Sequence, residues 1–247
     1  MDISSYILLS HEQALRRKLD ITANNMANTN TVGFRRERPV FHEFVERGED
    51  AFVRDAKTAS FVLDYRAMHD PAQGGFQATG NPLDVMIEGP GYFAVEAPGG
   101  GTAYTRAGFV KVNDNGDLVT SGGQRLLDEG GKPISVPPDA LVTLAIGADG
   151  TVSSKDGPLG RIAVTVFDDE SGITPRGDGM MSGAGGRVLA ATDTKLKSGG
   201  VEGSNVQPIV ETTELVDILR SYQSSMKMAD AMNDMRLRAI GRLSKLG

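Results

Sequence analysis

Cysteine and tryptophan are both absent from this chain of 247 residues. Without cysteine, the protein has no structural disulfide, no catalytic thiol and no metal site built on thiolates. A chain that must pass unfolded through a narrow channel would benefit from the lack of cross-links. Many cytosolic chains lack cysteine too, so this absence alone leaves the compartment open.

Long apolar runs are missing as well. The run Tyr6-Ile-Leu-Leu9 is too short for the apolar core of a cleavable signal peptide, and no stretch approaches the ~20 residues that cross a bilayer. We expect a protein that does not span a membrane. If it leaves the cytosol, it does so by a route other than the general secretory pathway.

Basic residues are outnumbered in the middle of the chain. The formal net charge is −6, although residues 1–38 and residues 205–247 each carry more basic than acidic side chains. A nucleic-acid-binding protein needs a basic stripe for the phosphates, and an acidic body does not provide one. We therefore expect no nucleic acid partner.

Residues that could carry chemistry are few. The three histidines, His11, His42 and His69, lack the helical spacing of metal ligands, and His69 beside Asp70 has no nucleophile to activate. The run Asn113-Asp-Asn-Gly-Asp117 resembles a calcium loop only superficially, because its glycine stands at the fourth position and not the sixth. We predict a hairpin turn there. We expect no catalytic residue, no metal site and no cofactor, and hence no enzyme.

Both ends of the chain carry apolar residues at helical spacing. The first pattern lies within residues 1–30 and stops at a segment rich in Asn and Gly, which can end a helix. Its apolar positions are Leu8, Leu15, Leu19, Ala23 and Met26. The second pattern follows Pro208, and neither glycine nor proline occurs in residues 209–240. Its positions are Leu215, Leu219, Tyr222, Met226, Ala229 and Met232.

The middle of the chain, from about residue 76 to 200, changes to an alternating pattern with frequent glycine turns. Short apolar runs flank Asn113-Asp-Asn-Gly116 on both sides, and others flank Ala148-Asp-Gly150. Both arrangements indicate β-hairpins. We predict an antiparallel β domain with many short strands.

Residues 31–75 are the least informative. Residues 41–45 suggest a short amphipathic turn, and Phe61, Val62 and Tyr65 suggest one strand. We interpret the stretch as an extended connector. The predicted fold class is α+β, with N- and C-terminal helices forming a coiled-coil-like layer and a central antiparallel all-β domain. The predicted domains are an N-terminal assembly helix (1–30), the connector (31–75), the β-rich domain (76–200) and a C-terminal assembly helix (201–247).

The partner that covers the two apolar stripes is left undecided by their periodicity. The stripes could cover each other within one subunit, or they could pack on the helices of neighbouring subunits. Copies related by a rotation that does not close would form a helical filament.

Three segments resemble the flagellar basal-body rod and hook family. The first, residues 14–34, contains the A-N-N-x-A-N segment and the T-x-G-[FY] turn that are characteristic of that family. Its matching residues are Ala23, Asn24, Asn25, Ala27, Asn28, Thr31, Gly33 and Phe34. The second, residues 79–93 with 104–109, is similar to the family's core strand motif. The third, residues 201–206, is similar to the S-N-V segment before the last helix and is carried by Ser204, Asn205 and Val206.

The resemblance implies a structural subunit of the bacterial flagellar rod, most like a proximal-rod subunit, with a distal-rod or hook-related subunit as the alternative. It further implies export by the flagellar type III apparatus, assembly through the terminal helices, and a place in the periplasmic rod of the basal body. The implied partners are copies of the chain, other rod proteins and the export apparatus. Two alternatives come from other classes, a soluble β-domain binder with a dimeric coiled coil and a cell-wall hydrolase.

Overall fold

The computed structural model describes residues 3–47, 58–168, 172–176 and 179–243, with the side chains of all of them except 3–5, 42–47, 58–66 and 243. The chain divides into two compact units. Unit 1 comprises the described parts of Met1–Ala27, Glu37–Asp70 and Gln207–Gly247. Unit 2 comprises those of Asn28–Arg36 and Pro71–Val206. Both ends of the chain therefore belong to the same unit.

Two long helices dominate unit 1. Helix α1 spans Ile3–Ala27 and helix α2 spans Pro208–Leu243. The 36 residues of α2 correspond to a length of about 54 Å. Pro208 occupies the first helical position, where its missing N–H removes no intrahelical hydrogen bond. The predicted helix at each end of the chain is confirmed.

Unit 1 also contains an antiparallel hairpin of strands β1 (Glu37–Arg47) and β2 (Thr58–His69), with a register shift after Val40. Helix α1 packs against both strands. Residues 41–45, expected to form a short amphipathic turn, lie inside β1, so this expectation is wrong. Charged residues interrupt the alternation along β1, and the pairing with β2 that holds the strand is not visible in its own sequence.

Unit 2 is built from short strands. They are β3 (Phe76–Ala78), β4 (Val85–Ile87), β5 (Tyr92–Glu96), β6 (Thr102–Thr105), β7 (Val110–Val112), β8 (Leu118–Thr120), β9 (Ala145–Ile146), β10 (Thr151–Ser154), β11 (Gly157–Arg161), β12 (Val164–Val166), β13 (Thr174–Pro175), β14 (Met181–Ser182), β15 (Arg187–Val188), β16 (Leu196–Ser198) and β17 (Gly200–Glu202). The largest sheet has the order β13-β14-β6-β5-β12-β15, and every assigned strand pair is antiparallel. One 3₁₀ helix, Pro138–Thr143, lies between β8 and β9.

The core of unit 2 collects the apolar side chains of these strands. Val85, Phe93, Leu118, Val152 and Ile162 are all fully buried within it. Strand β16 pairs with β4, and β17 pairs with β3, so the last strands of the unit lie beside its first ones. The predicted central antiparallel β domain is confirmed.

The two hairpins predicted from turn sequences are present. Strand β7 pairs with β8, and β9 pairs with β10. In the first turn, Asn113 Oδ1 accepts hydrogen bonds from the amides of Asn115 (3.0 Å) and Asp117 (2.8 Å). Gly116 has a φ of +86°, which favours glycine at that position. The run therefore forms a turn, as its sequence predicts.

No helix of the described residues is both long and apolar enough to cross a bilayer. Within the same residues, no group of three or more His, Cys, Asp or Glu side chains is placed to hold a metal ion.

Candidate assembly site

Helices α1 and α2 of unit 1 pack as an antiparallel pair. Asn25, near the end of α1, bonds to Glu211, in the first turn of α2. At the other end of the pair, Tyr6 of α1 and Met232 of α2 line the same groove. The two terminal sequences therefore meet along most of the length of α1.

The seam of this pair follows a seven-residue interval on each helix. On α2, Glu211, Ile218 and Ser225 are buried. On α1, Leu15 and Thr22 are buried at the same interval. A seven-residue repeat is typical of two helices that pack lengthwise. The central positions of α2 are nevertheless mixed, since a carboxylate and a hydroxyl share the row with one isoleucine.

The predicted stripe on α2 lies to one side of this seam. Leu219, Tyr222 and Met226 are 40%, 38% and 41% exposed. The predicted residues Leu215, Ala229 and Met232 are partly buried. Periodicity shows that α2 has an apolar stripe. It does not show which row of side chains faces α1, because several adjacent rows are apolar. The row that faces α1 begins at Glu211, which a search for apolar residues passes over.

Two apolar grooves run along the pair. The larger has a volume of about 300 Å³ and is lined by Tyr6, Leu8, Leu9, Glu12, Ala229, Met232 and Arg236. The smaller has a volume of about 220 Å³ and is lined by Leu15, Arg16, Leu19, Ile218, Leu219 and Tyr222. Seven of the predicted site residues therefore line a groove: Leu8, Leu15, Leu19, Leu219, Tyr222, Ala229 and Met232.

Asn25 is the buried residue of the A-N-N-x-A-N segment, with 1% of its surface exposed. Its Nδ2 donates to the carbonyl of Glu37 (2.9 Å) and to Glu211 Oε2 (3.2 Å). Its Oδ1 accepts from the amide of Glu37 (2.8 Å). Only a side chain with both a donor and an acceptor can make this set of bonds. Asn25 thus joins the end of α1, the start of β1 and the start of α2.

The other residues of the N-terminal motif are less enclosed. Ala23, Asn24 and Ala27 are exposed, and Asn28 and Phe34 are partly buried. Among the residues of this motif that lie on α1, Asn25 alone is therefore buried.

A second buried cluster lies in unit 2, around an ion pair. Arg106 Nη1 donates to Glu202 Oε2 at 2.8 Å, and each side chain is 1% exposed. Arg106 Nη2 also donates to the carbonyl of Gly89 (2.7 Å), and the amide of Gly74 donates to Glu202 Oε1 (3.1 Å). The two charged residues are 96 positions apart in the sequence.

Gly33, from the T-x-G-[FY] turn, packs against this cluster. Its amide donates to the carbonyl of Glu202 (2.8 Å), and its φ is +72°. A Cβ atom on this residue would lie 2.5 Å from the carbonyl carbon of Arg106. The left-handed backbone conformation and the lack of room for a Cβ atom therefore both require glycine at this position.

Asn205, from the S-N-V segment, binds two other segments of the chain, one at Arg36 and one at Ala72. Its Oδ1 accepts from the amide of Arg36 (2.6 Å), and its Nδ2 donates to the carbonyl of Ala72 (2.7 Å). The amide of Val206 donates to Ser204 Oγ (3.2 Å), and the Val206 side chain is buried. The segment before α2 is therefore anchored in unit 2 before the helix begins.

Burial and a neighbouring cation both disfavour the charged form of Arg106. Burial lowers the pKa of Arg106, Glu202 opposes that shift, and the charge of Arg35 adds to it. Arg35 and Arg106 each place a guanidinium near the ring of Tyr92, at 5.7 and 5.4 Å from its centroid. Arg106 Nε is buried and has no hydrogen-bond partner in the described part of the chain. Such contacts with an aromatic face offset part of the cost of burying the cations.

Sequence reasoning did not select the charged residues of these clusters. Glu37, Arg106, Glu202 and Glu211 are all buried, although charged side chains are normally exposed. Arg106 and Glu202 do lie inside two of the segments that resemble the rod and hook family. Their position in these segments was the sequence signal that could have identified them.

Comparison with known proteins gives a consistent result. Three family models match: "Flagella basal body rod protein" over residues 6–35, "Flagellar hook protein FlgE/F/G D1 domain" over residues 86–154 and "Flagellar basal body rod FlgEFG protein C-terminal" over residues 197–242. The flagellar basal-body rod protein FlgF of Caulobacter vibrioides is 38% identical, with 100% of both chains covered. FlgF of Mesorhizobium japonicum is 33% identical, with 98% and 99% covered. FlgG of Agrobacterium fabrum is 31% identical, with 90% and 92% covered.

Proposed function

This chain belongs to the flagellar basal-body rod protein family, and we propose that it enters the rod through its two terminal helices, which complete their packing on neighbouring subunits. It is a structural subunit of the basal body and assembles with other rod proteins. The mode of assembly proposed here is carried by one observation: α2 keeps a large apolar surface uncovered.

The uncovered surface of α2 extends along the whole helix. Its exposed apolar side chains are Ile209, Val210, Val216, Leu219, Tyr222, Met226, Met228, Met235, Leu237 and Ile240. On α1, Tyr6 and Leu9 are also about half exposed. Apolar patches of this extent on a soluble protein mark an interaction surface. Helices from neighbouring subunits would cover it and fill the two grooves.

Export is the step that precedes assembly in this proposal. We propose that the chain is exported by the flagellar type III apparatus and that the terminal helices become ordered on assembly. The absence of cysteine supports this route, because no disulfide hinders passage of an unfolded chain. The polar residues in the seam support late ordering, because a pair of helices that buries a carboxylate and a hydroxyl gains little hydrophobic stabilisation by itself.

The proposed place is the proximal section of the rod, where the subunit would help to transmit torque from motor to hook. The two FlgF relatives described above match at least 98% of this chain, compared with 90% for the FlgG relative, which supports this choice. A distal-rod or hook-related position is the alternative. We propose no enzymatic activity, and the family supports this structural role.

Hydrogen exchange on the isolated, dilute subunit tests the proposal. Amides of α1 and α2 should exchange freely, whereas amides of β5 and β8 should be protected. Assembled rods should protect all four elements. If the helices were already protected in dilute subunit, folding on assembly would be wrong. If that protection fell on dilution, a dimeric coiled coil would be the correct description.

A direct assay separates the hydrolase alternative. Purified full chain should release no soluble fragments from cell-wall peptidoglycan, because its relatives are structural rod proteins. Activity that disappears on substitution of a single Asp or Glu would establish the hydrolase instead.

A further inference from the structure

The three segments that resemble the rod and hook family meet at one point in unit 2. Gly33 comes from the first segment, Arg106 from the second and Glu202 from the third. The amide of Gly33 bonds to the carbonyl of Glu202, and the side chains of Glu202 and Arg106 form the buried ion pair. Segments distant in sequence therefore share one set of contacts.

The same point holds each stretch of chain that leads to unit 1. Residues 28–36 follow α1, residues 71–75 follow β2, and residues 203–206 precede α2. The main-chain carbonyl of Glu202 accepts from Gly33 of the first stretch, and its carboxylate accepts from Gly74 of the second. The amide of Gly203 donates to the carbonyl of Gly75 (2.8 Å), which ties the third stretch to the second.

These contacts leave little room for adjustment. A Cβ atom at Gly74 would lie 1.8 Å from the carbonyl oxygen of Gly203, and one at Gly33 would overlap Arg106. At both positions the nearest atoms to an added Cβ are backbone atoms, so neither glycine has space for a side chain.

Stability alone is a poor reason for the ion pair. A buried pair loses hydration on both sides, and apolar residues of similar volume often stabilise a fold equally well. Among the described residues Arg106 Nε also has no hydrogen-bond partner, and Arg106 lies near a second cation, Arg35. The pair does fix the positions of two chain segments. The guanidinium donates to the carbonyl of Gly89, and the carboxylate accepts from the amide of Gly74.

We propose that the Arg106–Glu202 ion pair is a mechanical joint that holds the three connecting stretches as one body with the β core. Movement of the terminal helices then reaches the β domain through short, fixed chain segments. The joint rests on the proposed function, in which the helices carry the contacts with other subunits. Arg106 and Glu202 are positioning residues in this role, since their own contacts lie inside the subunit.

Hydrogen exchange on the full-length subunit tests the joint. The double variant R106M/E202L removes both charges and replaces them with apolar side chains, so it leaves no unpaired buried charge. We expect the amides of Gly33, Gly74 and Gly203 to exchange about 100-fold faster than in the original chain. Exchange of the core amides of Leu118 and Phe93 should change by less than about threefold.

An exposed ion pair provides the matched control. Arg125 Nε and Glu96 Oε2 are 2.5 Å apart, and their side chains are 44% and 34% exposed. The double variant R125M/E96L should change neither set of amides. The single variant Glu202→Leu leaves Arg106 buried and unpaired, and should accelerate the joint amides further.

The outcomes separate the two proposals. If the joint amides of R106M/E202L keep their original exchange rates, the ion pair holds nothing and the joint is wrong. If joint and core amides accelerate equally, the pair only stabilises the whole domain and the joint is again wrong. The amides of α1 and α2, followed in the same experiment, report on folding at assembly whatever the joint amides do.

Discussion

The carboxamide of Asn25 pairs with both backbone groups of Glu37, as a neighbouring strand would. It donates to the Glu37 carbonyl at 2.9 Å and accepts from the Glu37 amide at 2.8 Å. The remaining Nδ2 proton is directed to Glu211 at 3.2 Å. One side chain in the last turns of α1 therefore sets where β1 starts and satisfies a buried carboxylate of α2.

Asn25→Asp should block assembly. The substitution replaces both donated hydrogen bonds by a second carboxylate beside Glu211, and an uncompensated buried charge costs about 3–5 kcal/mol. We expect incorporation into rods, measured by quantifying the subunit in purified basal bodies, to fall at least about tenfold. Asn24→Asp is the control, because Asn24 is exposed on the same turn. Equal losses from the two variants would contradict the role assigned to Asn25.

Gly33→Ala should destabilise unit 2 by about 3 kcal/mol, through a left-handed backbone and a steric overlap with Arg106 together. Gly131→Ala is the matched control. Gly131 has a φ of +74°, close to the +72° of Gly33, but no atom within 4 Å of an added Cβ. The control should lose about 1 kcal/mol. Urea unfolding of the two variants measures the difference, and equal losses would show that the close approach at Gly33 is unimportant.

Two C-terminal truncations should differ in thermal stability. Removing residues 207–247 leaves unit 2 complete, so its melting temperature should change by less than about 3 °C. Removing residues 205–247 also deletes Val206 and the two hydrogen bonds of Asn205 to Arg36 and Ala72. That loss, about 3 kcal/mol, should lower the melting temperature by about 8 °C. Calorimetry would detect the difference, and a common melting temperature would mean that Asn205 does not anchor the segment.

Leu219→Asp should prevent incorporation into rods without unfolding the subunit. Leu219 is 40% exposed in the single subunit, where a carboxylate at its position remains partly hydrated. In the proposed filament a neighbouring helix covers this position, and a buried unpaired charge is strongly unfavourable. Ser224→Asp adds the same charge to an exposed position of α2 and serves as the control. Motility and basal-body composition are the measurements, and normal assembly of the Leu219 variant would place the interface elsewhere on α2.

Met226→Asp should behave as Leu219→Asp does, because Met226 is 41% exposed and lies seven residues further along the same side of α2. The two variants together test a continuous stripe and not a single contact. Assembly lost in one variant and retained in the other would confine the interface to one part of α2.

Much of the fold follows from local sequence patterns. The three- and four-residue spacing at both ends indicates helices, and Asn113-Asp-Asn-Gly116 indicates a turn, because both depend on residues close together in the chain. Strand β1 could not be predicted in this way. Its charged residues resemble a solvated loop until β2, from Thr58 onward, supplies the hydrogen-bonding partner.

The candidate site likewise contains residues that the sequence identified and residues that only the structure revealed. Asn25, Gly33 and Asn205 were found through the family resemblance, and the structure gives each a specific set of hydrogen bonds. The seam of the helix pair was not found, because its central positions on α2 include Glu211 and Ser225. A search for apolar periodicity selects the adjacent row instead, at Leu219 and Met226.

By itself, the sequence determined the class of the protein. The absence of cysteine ruled out disulfides and thiol chemistry, the periodicities defined two terminal helices around a β domain, and three motifs identified the family. Only the tertiary structure decided which charges are buried and what they hold. Arg106 and Glu202 stand 96 residues apart, and nothing near either of them in the chain predicts their pairing. A buried charge depends on a partner brought to it by the fold, so its role is established by packing between distant segments and not by local sequence.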